Sequence, residues 1–172
     1  MMYEIGDYVV KPGNGVCRVE DILHLDISGA DKKQLYYLFI PISDHNQKVY
    51  VPTHTADENF RKAMSEKEAW DFIEKIPTIG ELWIDNEKLR ERRYKEAVQS
   101  CVPEDLVAII KMTYLRKKKR TEQGKKSTVS DERYFRLEES YLYSEMGFAL
   151  NKEKDEVCRL IIDTVKSGKK PV

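Results

Sequence analysis

Hydrophobic and polar positions follow a short alternation in the first third of the chain. Between residues 3 and 52, brief runs of β-branched and aromatic residues are separated by turn-forming residues, which is typical of β-strands. The runs predict strands over 8–10, 15–19, 35–40 and 48–51. Four or five short strands with tight turns predict a small, strongly bent sheet or barrel.

The hydrophobic spacing becomes helical after residue 64. Ser65 and Glu68 have the spacing of a capping box, and the apolar residues behind them predict a helix that ends at Pro77. The segment 77–80 is the best candidate boundary, because everything beyond it lacks strand signals. Two units are therefore predicted, the first rich in β-strands and the second all-α.

Four helices are predicted in the second unit, over about 85–100, 104–120, 131–150 and 152–167. We expect Ser130 to cap the third helix and Asn151 to cap the fourth, with Gly168 just past its end. The fourth helix has the clearest apolar stripe, which consists of Val157, Leu160, Ile161, Thr164 and Val165.

The charges balance over the whole chain, with 30 Lys and Arg against 30 Asp and Glu, but not along it. Residues 88–136 hold 15 basic and 7 acidic side chains, an excess of eight positive charges that the remainder of the chain cancels. Basic helices therefore stand against an acidic remainder, which is a pattern that favours binding to nucleic acid.

Two basic clusters account for most of this excess. The first lies within two helical turns and contains Arg90, Arg92, Arg93 and Lys95. The second runs over 116–120 and continues, after a short gap, with Lys125 and Lys126. For the second cluster alone, a solvated helix end without a partner is an equally good interpretation. Both clusters together favour contacts with a phosphate backbone, and no side-chain array is placed to read base edges.

No constellation in the sequence is typical of catalysis. His24, His45 and His54 are isolated, and Gly13-Asn14-Gly15 is a lone Gly-x-Gly that predicts a tight turn with positive φ rather than a phosphate loop. Nothing assembles into a nucleophile, a base and an oxyanion group. We therefore expect no enzyme, no cofactor, no metal site and no small-molecule substrate.

The cysteines and the apolar runs restrict the class of protein further. Cys17, Cys101 and Cys158 are odd in number and far apart, so we expect buried or half-buried thiols rather than a disulfide framework. The longest uncharged apolar run, 35–42, is much shorter than the roughly 20 residues that span a bilayer. The N-terminus lacks the pattern of a signal peptide. We expect a cytoplasmic protein without a membrane partner.

Four motifs resemble those of the CarD/CdnL family of bacterial transcription regulators. Residues 5–16 resemble its GD-x-VV-x-P-x-x-G signature, and the segments 36–38 and 49–52 resemble its YY-hydrophobic and V-x-VP segments. Arg92-Arg93-Tyr94-Lys95 resembles its RRYK-like motif, and 130–133 resembles the start of a later helix, with Val129 where the family has Leu. Four motifs in the right order are specific, although each alone is weak.

The resemblance implies an α+β protein of two domains. Residues 1–64 would form a Tudor-like bent β-sheet or barrel that interacts with RNA polymerase, 65–84 a helix and linker, and 85–172 an all-α helical DNA-binding domain. The first domain would dock on the polymerase β subunit, and the second would contact promoter DNA at the upstream edge of the transcription bubble. The net effect would be a more stable open complex.

The resemblance, together with the two basic clusters, gives candidate residues for each partner. Those for RNA polymerase are Tyr36, Leu38, Val49, Tyr50, Val51 and Pro52, and each is also explained as part of an internal strand. Those for promoter DNA are Arg90, Arg92, Arg93, Lys95, Lys125, Lys126 and Trp83.

Two positions depart from the family pattern. Many members place a minor-groove Trp four residues before the Tyr of the RRYK-like motif, where this chain has Arg90. Its nearest tryptophan is Trp83, for which we favour a role in packing, with Arg90 entering the minor groove as the alternative. Tyr50 stands where other members have Arg, so docking would rest on aromatic burial.

A second hypothesis explains the same charges. The basic helices could form an interaction module that binds an acidic protein or RNA without any promoter contact.

Overall fold

A computed structural model describes residues 1–80 and 82–167, and within them the chain divides into two compact units, the first over 1–63 and the second from residue 64 onward. The first unit contains strands β1 (Tyr8–Lys11), β2 (Gly15–His24), β3 (Leu35–Pro41), β4 (Val49–Pro52) and β5 (Arg61–Lys62), with helix α1 (Thr53–Asn59) between β4 and β5. The second unit contains the helices described below. The architecture is α+β.

The five strands form one antiparallel sheet in the order β4-β3-β2-β1-β5. The four strands predicted from the sequence are confirmed, and β2 extends further than expected, to His24. The turn between β1 and β2 uses Gly13 at φ 85° and Gly15 at φ 71°, as the lone Gly-x-Gly predicts. Helix α1 and the short strand β5 were missed.

The core of the first unit lies on one face of the sheet. Val9, Val19 and Phe39 project into it from three neighbouring strands, and Tyr37 and Tyr3 complete it with rings 5.8 Å apart. Helix α1 contributes Ala56 to this core and places Asp57 where it accepts a 3.0 Å hydrogen bond from the Tyr37 hydroxyl. On the opposite face Val10 and Val16, which lie across from each other on β1 and β2, are buried as well, whereas Tyr50 on β4 is exposed.

Helix α2 (Glu66–Lys75) opens the second unit and begins as the sequence predicts. The Ser65 hydroxyl accepts from the Glu68 backbone, and the Glu68 carboxylate accepts from the Ser65 backbone, which is a complete capping box. A 3₁₀ turn follows at Ile76–Thr78. Phe72 and Ile73 pack in one core with later helices, so the candidate boundary at 77–80 lies inside this unit.

The remaining helices are α3 (Glu87–Ser100), α4 (Pro103–Glu122), α5 (Val129–Leu150) and α6 (Lys154–Ser167), close to the predicted spans. Two predicted caps are wrong. Thr128, not Ser130, caps α5 by accepting from the backbone of Asp131 at 3.1 Å. Asn151 ends α5 in the left-handed conformation, at φ 53°, instead of starting α6. Gly168 lies outside the described residues.

Two buried clusters hold the helices together. The larger one joins α2, α4, α5 and α6 through residues such as Phe72, Leu106, Met146 and Val157. The predicted stripe of α6 is confirmed at Val157, Ile161 and Thr164, which are buried, and at the partly buried Leu160, while the side chain of Val165 lies outside the described residues. The smaller cluster joins α3, α4 and α5 and contains Tyr94, Ala97, Ile109, Met112 and Tyr134. Among the described residues, no helix is both long enough and apolar enough to cross a membrane.

Candidate functional site

Strand β4 forms one edge of the sheet of the first unit. It pairs with β3 on one side, and no other described strand of the sheet lies on its other side. An edge strand offers backbone N–H and C=O groups that an extended segment of another protein can use. One backbone edge of β4 therefore has no strand partner within the described sheet.

The register between β3 and β4 separates the six candidate polymerase residues into two groups. Tyr36 lies opposite Pro52 and Leu38 lies opposite Tyr50, so these four share the face away from the core. Val51 and Val49 lie opposite Tyr37 and Phe39 and turn toward the core. The side chain of Val51 is buried and that of Val49 is partly buried, so the backbone is the main part of both residues that the edge offers.

The face of β3 and β4 that points away from the core, called the outer face below, carries one exposed aromatic ring. Tyr50 is 42% exposed, whereas its cross-strand neighbour Leu38 is 9% exposed. A half-exposed tyrosine at an edge strand is typical of a residue that loses its remaining exposure on binding. Tyr36 and Pro52 are half-buried beside this pair and extend the same surface.

Arg90 is not on the surface of the helical unit. Its side chain is nearly fully buried, and one Nη donates to the backbone oxygens of Ile84 at 3.2 Å and Asp85 at 3.3 Å. Its Nε lies 3.8 Å from the carboxylate of Asp131. The structure therefore gives Arg90 an internal role, which disagrees with its prediction as a DNA-contacting residue.

Asp131 is the acceptor at the centre of a buried polar network. Its two carboxylate oxygens accept from the Tyr94 hydroxyl at 2.6 Å and from Arg116 Nε at 3.0 Å. Burial, together with the hydrogen bond to Asp131, raises the pKa of Tyr94. The network joins α3, α4 and α5. Arg90 and Arg116 belong to it, so their charges are not part of the exposed basic surface.

Sequence reasoning missed this network although both of its key residues stood in motifs. Tyr94 belongs to the RRYK-like motif and Asp131 to the segment 130–133, but no local spacing pairs residues so far apart. The signal available was an aspartate in the first turn of a helix beside a tyrosine-containing basic motif.

The other cations of the first cluster are exposed. Arg93 pairs with Glu96 at 3.2 Å, and Lys95 lies 4.0 Å from Glu91, both on the helix surface. Arg92 makes no side-chain hydrogen bond or ion pair with any other described residue. Surface pairs of this kind are weak and exchange readily with phosphate. These three side chains are therefore available to an anionic partner.

The second cluster is partly exposed as well. Lys117, Lys118 and Lys119 project from the end of α4. The segment that follows folds back, because Arg120 Nε donates to the Lys126 backbone oxygen at 2.7 Å. Lys125 and Lys126 are exposed in it.

Trp83 lies beside this second cluster. It is 44% exposed, its Nε1 donates to Asp85 at 2.7 Å, and Lys119 Nζ lies 4.9 Å above its ring. Its neighbours Leu82 and Ile84 turn inward and pack on the smaller helical core. Trp83 itself belongs to none of the described core clusters, so the structure gives no support to the interpretation of Trp83 as a packing residue.

The described part of the chain offers no site for a metal ion, and its cysteines are largely covered. Within it, no group of three or more His, Cys, Asp or Glu side chains is arranged to hold a metal ion. Cys17 and Cys101 are buried and Cys158 is half-buried, as expected. Burial raises the pKa of the Cys17 thiol to about 11, which keeps it protonated and unreactive at neutral pH.

Comparison with known protein families identifies the first unit. Residues 3–64 match the family model described as CarD-like/TRCF RID domain, which is an RNA polymerase β-subunit-interacting domain. The matched range coincides with the sheet and α1 and ends where the helical unit begins. No curated protein gives a significant match to the chain.

Proposed function

This chain is a CarD-like protein through its domain at residues 3–64, and on that premise we propose that it is a non-enzymatic regulator that holds RNA polymerase and promoter DNA at once. The observation that carries the proposal is the domain match, which makes the protein transcription-related and RNA polymerase-interacting. The first unit would bind the polymerase β subunit and the helical unit would bind DNA at the upstream edge of the bubble. The resulting complex would stabilise the open promoter.

The docking surface for the polymerase is the edge of β4 and the outer face beside it. Main-chain hydrogen bonds from the edge would supply general affinity, and pockets for alternate side chains would supply specificity. Tyr50, with Leu38 directly opposite, is the side chain placed to anchor the contact. Because an aromatic residue replaces the arginine of other members, this docking depends on apolar burial and responds weakly to salt.

The docking surface for DNA consists of the exposed cations and the exposed tryptophan. Arg92, Arg93 and Lys95 supply phosphate contacts from α3, and Lys125 and Lys126 supply them from the segment after α4. Such contacts fix position on the duplex and carry no base information. DNA binding by the free protein is therefore weak and falls steeply with added salt.

Trp83 is the side chain suited to wedge into the minor groove. It is large, flat and half-exposed, and Lys119 lies over its ring where it can follow to a neighbouring phosphate. Arg90 supports it from inside, because its Nη holds the backbone oxygens of Ile84 and Asp85, directly after Trp83. Of the two candidates for the wedge, Trp83 would contact the DNA, and Arg90 would hold the backbone that follows Trp83 in place.

A binding assay with purified components tests the polymerase half of the proposal. The full chain is expected to retain the isolated polymerase β subunit at low salt, and Tyr50→Ala is expected to weaken retention about tenfold because an aromatic anchor is lost. Tyr8→Ala is the matched control, since Tyr8 is a 37% exposed tyrosine on β1, away from the β4 edge. Wild-type protein that does not bind β would overturn the proposal.

A footprint on promoter DNA tests the other half. Protection is expected at the upstream edge of the bubble only when polymerase is present. Protein that binds β without any such footprint would support the second hypothesis, in which the basic helices bind an acidic protein or RNA.

A further inference from the structure

A groove between α4 and α5 lies next to the second basic cluster, and Asp131 of the buried network is one of the residues that line it. Its volume is about 410 Å³, and Tyr114, Lys117, Phe135 and Arg136 line it together with Glu132 and Glu139. Ser127 closes the end nearest the segment that carries Lys125 and Lys126. The volume falls within the range of about 300–1,000 Å³ typical of small-ligand sites.

The aromatic wall of this groove is unusually open. Tyr114 is 61% exposed, more than any other aromatic side chain in the described residues, and its hydroxyl makes no hydrogen bond among them. Phe135, half-buried, forms a second aromatic wall from α5. Leaving a large ring in water has a free-energy cost, which stacking against a flat partner removes.

The charges around the rings indicate which flat partner fits. Lys117 stands one helical turn after Tyr114, and Arg136 stands on the facing helix, and neither side chain is paired within the described residues. Two unpaired cations beside an exposed ring are the arrangement by which proteins hold single-stranded nucleic acid, with bases stacked on aromatic rings and phosphates on cations.

The acidic side chains of the groove offer hydrogen-bond acceptors that distinguish bases with an amino group from those without one. Glu132 is exposed and its carboxylate has no partner among the described residues, while Glu139 is half-buried and engaged with Tyr143. A carboxylate accepts from the exocyclic amino group of cytosine, whereas thymine has no amino group to offer. An aromatic wall and a free carboxylate together favour an amino-bearing base.

We propose that the groove between α4 and α5 binds an unpaired nucleobase of single-stranded DNA, by stacking on Tyr114, with preference for cytosine over thymine through Glu132. This inference rests on the proposed function, because a promoter that opens exposes unpaired bases beside the duplex that the basic clusters contact. It assigns the chain a separate site for the melted strand, distinct from the duplex contacts of Trp83 and α3.

Fluorescence anisotropy with labelled oligonucleotides tests the proposal on the full chain. Strands of about 15 deoxycytidines and about 15 deoxythymidines, and a duplex of similar length, serve as probes at neutral pH and low salt. Tyr114→Leu is expected to weaken binding of the deoxycytidine strand about fivefold or more, while duplex binding changes by less than about twofold. Tyr114→Phe is the matched control, since it keeps the ring and is expected to retain binding.

The base preference is tested by the ratio of the two single-strand affinities. Wild-type protein is expected to prefer deoxycytidine by about threefold or more, and Glu132→Ala is expected to bring the ratio close to one. Removing the negative charge of Glu132 is expected to strengthen binding of both strands by the same factor, so it does not change the ratio of the two affinities.

Two outcomes would overturn the inference. Single-strand binding that is unchanged in Tyr114→Leu shows that the groove does not hold a base and points instead to a peptide or another partner. Equal weakening of duplex and single-strand binding shows that Tyr114 contributes only to general backbone contact. A failure of the proposed function is distinguishable, because it removes promoter protection near the bubble and leaves the effect of Tyr114→Leu on oligonucleotides in place.

Discussion

The hydroxyl of Tyr94 donates a 2.6 Å hydrogen bond to the buried carboxylate of Asp131, 37 residues further along the chain. Arg116 and Arg90 approach the same carboxylate at 3.0 Å and 3.8 Å. The carboxylate of Asp131 on α5 therefore connects α5 to a tyrosine and an arginine of α3 and to an arginine of α4. Because these three helices also carry the exposed cations, the hydrogen bonds and ion pairs of Asp131 hold those cations in position relative to one another.

Asp131→Asn is expected to destabilise the helical unit. Removing the charge leaves Arg116 and Arg90 buried without their carboxylate, and breaking a buried ion pair on one side costs about 3–5 kcal/mol. Urea unfolding followed by tryptophan fluorescence measures the change, because both tryptophans, Trp70 and Trp83, lie in this unit. Asp163→Asn is the control, since Asp163 is exposed on α6 and should change stability by less than about 0.5 kcal/mol.

Combining Arg92→Glu with Arg93→Glu is expected to weaken DNA binding about tenfold or more at low salt and to shorten the lifetime of the open promoter complex. Both side chains are exposed, so folding and docking on the polymerase should be retained. Competitor-challenge decay of the open complex gives the lifetime, and retention on the β subunit gives the docking.

The matched control for this pair is Lys152→Glu with Arg159→Glu. Both residues are exposed, lie outside the basic segment and change the net charge of the protein equally. An open-complex lifetime that responds equally to both double variants would show that net charge, and not the face of α3, governs DNA binding.

Much of the fold follows from local patterns in the sequence. The strands follow from short β-branched and aromatic runs, and the start of α2 follows from Ser65 and Glu68, because capping is local chemistry. Helix α1 was missed because Thr53–Asn59 has few strong helix formers and no apolar period. Thr128 and Ser130 are both favoured N-cap residues, with Ser slightly preferred, so only the backbone path shows that Thr128 is the cap.

Of the candidate site, the sequence predicted correctly only the positions of those charged residues that lie on the helix surface. Arg92, Arg93 and Lys95 are exposed, as charged residues on a helix usually are. Arg90 is buried instead of exposed, because the carboxylate of Asp131, which is distant in the sequence, lies beside its charge and offsets the cost of burying it. The division of the β4 residues into outer-face and core-facing groups depends on strand register, which no run of residue types determines.

Trp83→Ala is expected to reduce promoter opening without unfolding the protein. The ring is 44% exposed, so its removal should lower the free energy of unfolding by less than about 1 kcal/mol. Permanganate reactivity of unpaired thymines measures opening, and the thermal transition measures folding. Trp83→Phe keeps an apolar wedge and should retain most of the effect on opening. A large fall in the thermal midpoint of Trp83→Ala would contradict the assignment.

Glu138 makes the stability of the helical unit depend on pH in an unusual direction. Its side chain is fully buried on α5, neither carboxylate oxygen has a hydrogen-bond partner among the described residues, and burial raises its pKa to about 9. The ordinary glutamate pKa is about 4.3, so between about pH 4.3 and pH 9 the folded state keeps a proton that the unfolded chain releases. Stability therefore falls as pH rises through this window, by up to about 1.4 kcal/mol per pH unit.

Glu138→Leu is expected to stabilise the protein, and by more at high pH than at low pH. Leucine fills a similar volume without a group that must stay protonated, so the variant should lose the slope that Glu138 causes. Urea unfolding of both proteins at about pH 5 and about pH 8 measures the two differences in stability. The gain at the higher pH should exceed the gain at the lower pH by a few kcal/mol. Equal gains at both pH values would show that Glu138 is not protonated in the folded state or finds a partner there.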